Sequence, residues 1–478
     1  MSAKRLLDQG LDEAVEALVE WSKSGKPVLL ISHYDADGIT SASIMIKVLN
    51  DLAIPFHVKI VNQLDEPTLR RLEKLLERHE FLIFTDLGSG QRNLLSRYAD
   101  KNILVVDHHQ PIGGLAADVK AWIEVNPRLY DINGNTEACA STMSYLIARR
   151  LSSSNISLAP IAIVGALGDM QDCGEKGQLV GLNRRIVEEG VKSGYVSEEM
   201  SLRLFGLRSK PLVECIARTT NPYIPGLTGN ERASYKFLKS IGIEPEVNGQ
   251  LRMFSSLSKE EVRKLVTGLI KYMIDVGLSS KEAERIIGYV YLFPREKPES
   301  PLFDAREYSS LVNACGRLDK YGVAIAVCLG DREESLKEAI QVANMYRERL
   351  GRYIRLVVSG EIVEEYEGFY CIHGDIVGIE EKIIGTIASI AASATLLPKG
   401  KPVIALTRAE KEGFIKVSAR LPRALNRKGI DLARALRFAA EKVGGAGGGH
   451  EVAAGAQIPI ERKREFLELL GESLYNAK

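Results

Sequence analysis

Hydrophobic positions in the first hundred residues fall into short unbroken runs. Residues 27–32 (PVLLIS), 56–61 (FHVKIV), 81–85 (FLIFT) and 102–106 (NILVV) are rich in Val, Ile, Leu and Phe, and each run ends in polar or glycine residues. Runs of this length and composition predict buried strands. Between them, 39–52 and 66–79 carry apolar residues at helical spacing, and 137–150, 158–168 and 179–192 do so further on. Strands alternating with helices predict an α/β fold whose N-terminal sheet is parallel and covered on both faces.

From about 200 to 295 the pattern changes. EEMSLRLFGL, ERASYKFLKSIGI, KEEVRKLVTGLIKYMIDVGL and SKEAERIIGYVYLF all read as helical, which predicts an all-helical insertion. PREKPESPLF (294–303), with its three prolines, marks a linker. A long helix is expected over about 332–350, and strands at 353–358, 403–407, 413–419 and 452–458. The expected organisation is a catalytic domain over 1–195, a helical insertion over 196–300 and a smaller C-terminal α/β domain over 301–478.

Composition narrows the class. At roughly 100–200 residues per domain, 478 residues fit about three domains. Hydrophobic residues at 45% and charged residues at 26% exclude disorder as the main state. Lys+Arg is 63 and Asp+Glu is 62, a net charge of +1, so a polyanion would have to meet local basic patches. The six cysteines (Cys139, Cys173, Cys215, Cys315, Cys328, Cys371) include no CxxC pair, which argues against a disulfide framework or zinc ribbon and suits core positions in a reducing compartment. The N-terminus is charged throughout, and no stretch reaches the roughly 18 apolar residues of a membrane span. The expectation is a soluble cytoplasmic protein.

The strong polar signals of the first half fall just after predicted strands. SHYDADG (His33, Asp35, Asp37, Gly38) follows the first, TDLGSG (Asp86) the third and VVDHHQP (Asp107, His108, His109) the fourth; GALGDMQD (Asp169, Asp172) ends an apolar helix. In open α/β sheets the ligand site lies beyond the carboxyl ends of the strands, so these clusters can converge. Four or more carboxylates with two or three imidazoles, and no neighbouring Lys or Arg in the motifs, would repel one another unless cations sat among them. Mixed Asp and His donors without thiolate suit Mn²⁺ or Mg²⁺. Two such ions bridged by one Asp would activate water and clamp a phosphodiester. A single Asp at a strand end is ordinarily a helix cap, but four clusters are hard to obtain from capping alone.

These motifs resemble those of the DHH phosphoesterase superfamily. DADG with the serines after it, the separate Asp86, Asp107-His108-His109 and GDMQD stand in the family's order. GGAGGGHEVAAGAQIP (444–459) is similar to the GGGH signature of the DHH-associated C-terminal domain, and FDAREYSSLVNACGR (303–317) to the RecJ-type segment leading into it. The archaeal RecJ-like group, the GINS-associated nucleases, fits nearly the whole chain. The resemblance implies a 5′→3′ exonuclease on single-stranded DNA, with RNA as a further substrate, two Mn²⁺ or Mg²⁺ ions, and partnership with GINS and the replicative helicase in DNA replication or repair. It implies that Asp35 and Asp86 hold one ion, that Asp37, Asp86, His108 and Asp169 hold the other, that His109 meets the scissile phosphate and that Asp107 orients the imidazoles. His33 stands where bacterial RecJ has Asp, and either completes the first ion's shell or lines the pocket.

Near the C-terminus, three glycines (Gly447, Gly448, Gly449) let a backbone approach a phosphate, and His450 adds a donor. Ser418 and Arg420 sit on a predicted strand, and the loop after it carries Arg423, Arg427 and Lys428. Arg317 is a further candidate phosphate contact. Two other functions compete: a phosphodiesterase for small molecules or short oligonucleotides, whose family members are typically shorter, and a replisome scaffold that has lost its metals, which would show eroded motifs.

Overall fold

Every predicted N-terminal strand forms. The computed structural model describes residues 3–113, 121–393, 396–397, 400–422, 425 and 429–475. It begins with α1 (Ala3–Ser22), β1 (Val28–His33), α2 (Ala36–Asp51), β2 (Phe56–Val61), α3 (Glu66–Arg78), β3 (Phe81–Thr85), α4 (Arg92–Leu95), β4 (Asn102–Val106) and β5 (Ala121–Val125). The five strands make a parallel sheet in the order β2-β1-β3-β4-β5. Its inner strands are buried on both faces, which is why they read as unbroken apolar runs. Leu69, Leu72 and Leu76 of α3 cover one face against Leu29, Ile31, Leu82 and Phe84, and α2 covers the other. The order reverses between β1 and β3, and a doubly wound sheet opens its ligand crevice at such a switch point.

Helices α5 (Ala140–Leu151), α6 (Ala159–Gly168) and α7 (Gly181–Lys192) come next, with α5 and α6 packed on α2. The following stretch contains β6 (Ser197–Leu202), α8 (Leu212–Arg218), α9 (Glu231–Ser240), a hairpin of β7 (Glu246–Val247) and β8 (Gln250–Leu251), α10 (Lys259–Asp275), α11 (Ser280–Ala283) and β9 (Ile287–Leu292). It is mainly helical, but its two ends correct the all-helical expectation. EEMSL and IGYVYL pair as antiparallel strands β6 and β9, from Ser197↔Leu292 to Leu202↔Ile287. After them stand helices α12 (Ala305–Arg317), α13 (Tyr321–Cys328) and α14 (Glu334–Val358), and α12 packs on α2 and α6. The strand expected at 353–358 is instead the end of α14. Leu350, Tyr353 and Val357 are buried at helical spacing, so the apolar run continues the helix.

The C-terminal part has β10 (Val363–Glu365), β11 (Tyr370–His373), α15 (Gly374–Val377), α16 (Glu381–Ser393), β12 (Val403–Arg408), β13 (Phe414–Arg420), α17 (Leu432–Lys442), β14 (Ala446–His450), β15 (Ala453–Pro459) and α18 (Lys463–Tyr475). Its six-stranded mixed sheet has the order β10-β11-β12-β13-β15-β14. Ile415, Val417, Ala419, Ala454, Ala456 and Ile458 face a core closed by Leu432, Leu436, Phe466 and Leu470 of α17 and α18. The chain divides into two compact units, one of Met1–Cys215, Glu246–Ile270 and Ser279–Asn344, the other of Ile216–Pro245, Lys271–Leu278 and Met345–Lys478. Five cysteines are buried as expected, whereas Cys173 is exposed. Among the described residues no helix is long and apolar enough to cross a membrane.

Candidate metal centre

At the switch point of the N-terminal sheet, strand β1 delivers His33 and the turn into α2 delivers Asp35 and Asp37. Asp35 caps α2 by accepting from the Gly38 N–H at 3.0 Å. Gly38 leaves no choice of residue, because a Cβ there would lie 2.3 Å from the His33 carbonyl oxygen. Asp37 is buried, and its carboxylate accepts from the N–H groups of Ala140 (2.8 Å) and Ser141 (2.9 Å) at the start of α5. Asp86 ends β3 in the left-handed region at φ +59°, with its N–H bonded to the Val106 carbonyl at 2.9 Å. Asp is among the few non-glycine residues that adopt this conformation readily.

These side chains meet. His33 Nδ1 is 3.1 Å from Asp35 Oδ2 and 3.3 Å from Asp86 Oδ2. His108 Nε2 is 3.3 Å from Asp86 Oδ1, 3.4 Å from Asp169 Oδ2 and 3.8 Å from Asp37 Oδ2. The sets His33–Asp35–Asp86, Asp37–His108–Asp169 and Asp86–Asp107–His108–His109 each offer donor atoms close enough together to hold a metal ion. The fit to a cation rests on two atoms. Asp86 Oδ1 and His108 Nε2 are buried and have no hydrogen-bond partner among the described residues, a costly state unless something positive lies among them. His108 Nδ1 is 2.6 Å from the Gly134 carbonyl, which can only accept, so Nδ1 carries the proton and Nε2 is aimed into the carboxylates.

Asp107 differs from the other carboxylates. Its Oδ1 accepts from the N–H of His108 (2.7 Å), the N–H of His109 (3.2 Å) and His109 Nδ1 (2.8 Å), and its Oδ2 from the Ser89 N–H (2.9 Å). With both oxygens occupied, it orients the half-exposed ring of His109 through Nδ1. Asp172 forms ion pairs with Arg203 and Arg306. Arg317, at the end of α12, lies over the Tyr34 ring at 5.9 Å, and Tyr34 stands edge-on to His33 at 4.5 Å. One turn earlier Asn313 has a buried Oδ1 with no partner among the described residues.

Around these groups lies a supporting layer that the sequence motifs do not include. Ser89 Oγ donates to Glu124 (2.7 Å), Asn126 Nδ2 donates to Ser89 Oγ (2.8 Å) and the His109 carbonyl (2.9 Å), and Arg128 Nε donates to the His108 carbonyl (2.8 Å). Nothing in the local sequence marks these residues, because their partners lie 17 to 37 positions away.

Crowding sets the electrostatics. Burial, then Asp86 and Asp169, push the Asp37 carboxyl up to about 7. Burial also raises Asp169, with Asp86 and Asp35 adding to it against His108. Burial works against protonated His33 and His108, but carboxylates outweigh it and raise both: Asp35 and Asp86 at His33, and Asp169, Asp86 and Asp37 at His108. Groups raised above their unfolded values stabilise the fold while protonated and lose that contribution as pH rises through the folded value. In chelator, the melting temperature should therefore fall as pH rises from about 6 to about 8, and Mn²⁺ should restore most of it at the upper end. Melting curves with and without Mn²⁺ at both pH values check this.

The other candidate residues lie on the C-terminal sheet. The glycine run forms edge strand β14, paired with β15 from Ala446↔Gln457 to His450↔Ala453. Gly449 has φ +132°, and a Cβ there would meet the Ala453 carbonyl oxygen at 2.7 Å. Register places Ser418, Gly455 and Gly448 in one cross-strand row and Arg420, Ala453 and His450 in the next. Both rows face away from the core of α17 and α18. The result is a floor of glycine and alanine between Arg420 and exposed His450. Arg420 Nε donates to Ser389 Oγ of α16 at 2.9 Å. Arg423, Arg427 and Lys428 lie outside the described residues.

Three family models match the chain: the DHH family N-terminal domain over residues 27–166, the DHH-CID domain over 204–287 and the DHHA1 domain over 370–476. An uncharacterized protein of Methanocaldococcus jannaschii is 33% identical over 454 residues, 94% of either chain. The single-stranded-DNA-specific exonuclease RecJ of Thermus thermophilus is 26% identical over 202 residues, 41% of this chain and 29% of RecJ. The crystal structure of that RecJ with Mn²⁺ superposes over 98% of this chain with TM-score 0.59 at 18% identity, so the chain spans 55% of the RecJ chain. CDC45 of Entamoeba histolytica superposes with TM-score 0.68 at 12% identity, over 98% of this chain and 99% of CDC45. With all three domain models in order and a relative matched end to end, the chain belongs to the RecJ-like DHH family.

Proposed function

We propose that this protein is a metal-dependent exonuclease on single-stranded nucleic acid, hydrolysing phosphodiesters with two Mn²⁺ or Mg²⁺ ions. We assign it 5′→3′ polarity on DNA, with RNA as a further substrate. The observation that carries this reading is the pair of buried, unpartnered donor atoms, Asp86 Oδ1 and His108 Nε2, set among further carboxylates. Its support from relatives is the likeness to the single-stranded-DNA-specific exonuclease RecJ of Thermus thermophilus.

In this reading His33, Asp35 and Asp86 hold one ion, and Asp37, Asp86, His108 and Asp169 the other, with Asp86 shared. When bound, such ions supply a more acidic water and neutralise charge on the phosphate. The protein's own groups do the remaining work. Gly134 fixes the His108 tautomer. Asp107 holds the His109 Nδ1 proton and turns the other ring nitrogen toward the scissile phosphate. Arg317 and Asn313 contact the phosphate or sugar. Ser418, Arg420, the strand of Gly447, Gly448 and Gly449, and His450 hold the substrate backbone, since an unpaired strand edge presents N–H groups and glycine leaves no side chain in the way.

Incubation with 5′- and 3′-labelled single strands tests the proposal. Mn²⁺ should release short products from the 5′ end, and excess chelator should abolish release. Full activity in chelator would overturn the metal reading. Protein that binds Mn²⁺ yet cleaves no strand would point to a scaffold instead.

We further propose that the mainly helical module, 196–300, contacts GINS and the replicative helicase, with the catalytic domain at 1–195 and the substrate-binding domain at 301–478. Deleting 204–287 with a short linker should spare dinucleotide hydrolysis and remove retention on immobilised GINS. Loss of dinucleotide hydrolysis in a folded product would count against a separate role.

A further inference from the structure

Behind the metal cluster runs a chain of buried amides whose direction is forced. Gln171 Nε2 lies 2.9 Å from the Gly134 carbonyl, 3.3 Å from the Ala138 carbonyl and 3.2 Å from Asp169 Oδ2. All three neighbours are acceptors, so only the NH₂ end of the amide fits there. Gln171 Oε1 must then accept, and it does so from Asn183 Nδ2 at 2.6 Å. That turns Asn183 Oδ1 toward Thr142, whose hydroxyl donates to it. Gln171 and Thr142 are fully buried and Asn183 is 1% exposed. The Gly134 carbonyl at the far end is the one that accepts from His108 Nδ1.

We infer that Gln171 is a positioning residue for the metal-binding side chains: one amide orients Asp169 directly and His108 through their shared carbonyl, and Asn183 and Thr142 hold that amide the right way round. This rests on the metal reading proposed for the site. A side chain that merely filled space would work equally well in either orientation. A positioning residue works only as a donor, and partners of this kind typically contribute about 10- to 100-fold in metal affinity.

Two substitutions separate these cases. Gln171→Glu keeps the volume but replaces the donor facing Asp169 with a carboxylate oxygen. Asn183→Asp touches no candidate ligand. The carboxylate it introduces, when ionised, still accepts from Thr142 but no longer donates to Gln171, so the Gln171 amide turns its NH₂ toward that carboxylate and away from Asp169. Mn²⁺ binding, read from the paramagnetic resonance of the free ion, needs no nucleic acid and no turnover. We expect Gln171→Glu and Gln171→Ala to bind Mn²⁺ about 10- to 100-fold more weakly than wild type. Asn183→Asp should weaken binding in the same direction. The Gln171→Ala/Asn183→Asp double variant should be no weaker than Gln171→Ala alone, because both act through one amide. If Gln171→Ala does not fold, the volume-conserving Gln171→Glu and Asn183→Asp carry the test. Wild-type affinity in Gln171→Glu, or fully additive losses in the double variant, would overturn the inference while leaving the metal reading intact. A wild-type protein that binds no Mn²⁺ would remove the metal reading, and this inference with it.

Discussion

Asp86→Asn loses phosphodiester hydrolysis by at least about a thousandfold, roughly 4 kcal/mol of barrier, because one carboxylate serves both ions in the proposed site. Asparagine is the informative replacement. Residue 86 has φ +59°, which Asn tolerates and Ala does not adopt without strain. The same change removes a negative charge that raises Asp37 and Asp169 and that also lies against His33 and His108. At about pH 8, Mn²⁺ should raise the melting temperature of wild type and leave that of Asp86→Asn almost unchanged. Loss of the Mn²⁺ response separates a metal ligand from a residue that merely supports the fold. A variant that still gains fully from Mn²⁺ would show that Asp86 holds no ion.

The ligands proposed to share that site are scattered from His33 to Asp169, and the sequence makes their meeting legible for a physical reason. A parallel sheet gathers the segments after its strands at one edge, so polar clusters placed after three buried runs and at the end of an apolar helix share a neighbourhood. Two kinds of feature stay hidden. One is secondary structure whose apolar pattern fits two periods. Residues 353–358 read as a strand by composition but bury their side chains as a helix. Ser197–Leu202 reads as helical but pairs with Ile287–Leu292, a distant partner that no local pattern reports. The other kind is the supporting layer. Gln171 stands inside the GDMQD motif, yet its partners Gly134 and Asn183 are 37 and 12 residues away. Only the fold shows that it is an amide with three acceptors at one end. The glycine run is intermediate: its closeness to backbone is legible, but its place as an edge strand depends on pairing with β15.

His450→Ala raises KM for a single strand by about 10- to 100-fold and changes kcat little, since losing one charge-assisted contact costs roughly 1.5–3 kcal/mol. The expectation rests on the two cross-strand rows of the C-terminal sheet. Gly448 and Gly455 leave the row beside Ser418 flat, and Ala453 leaves the next almost so, with Arg420 and His450 at its ends. A phosphodiester backbone lying on that floor would meet backbone and two donors rather than a wall of side chains. Arg420 is steadied by Ser389, so it presents its charge with little ordering left to do. Arg420→Ala should lower the slope of log affinity against log salt by about one, as for the loss of one phosphate contact. Of the two side chains only Arg420 carries a permanent guanidinium charge, so its replacement should dominate the change in slope. Gly448→Val puts a branched side chain on the floor where a Cβ meets nothing within 4 Å, so the fold should tolerate it while KM rises as far as in His450→Ala. Measuring KM and kcat at two salt concentrations for the three variants decides the matter. Wild-type KM in all three would place the grip on the strand elsewhere, whereas a loss confined to KM, with the salt slope falling only for Arg420→Ala, is the result that a backbone clamp separate from the chemistry must give.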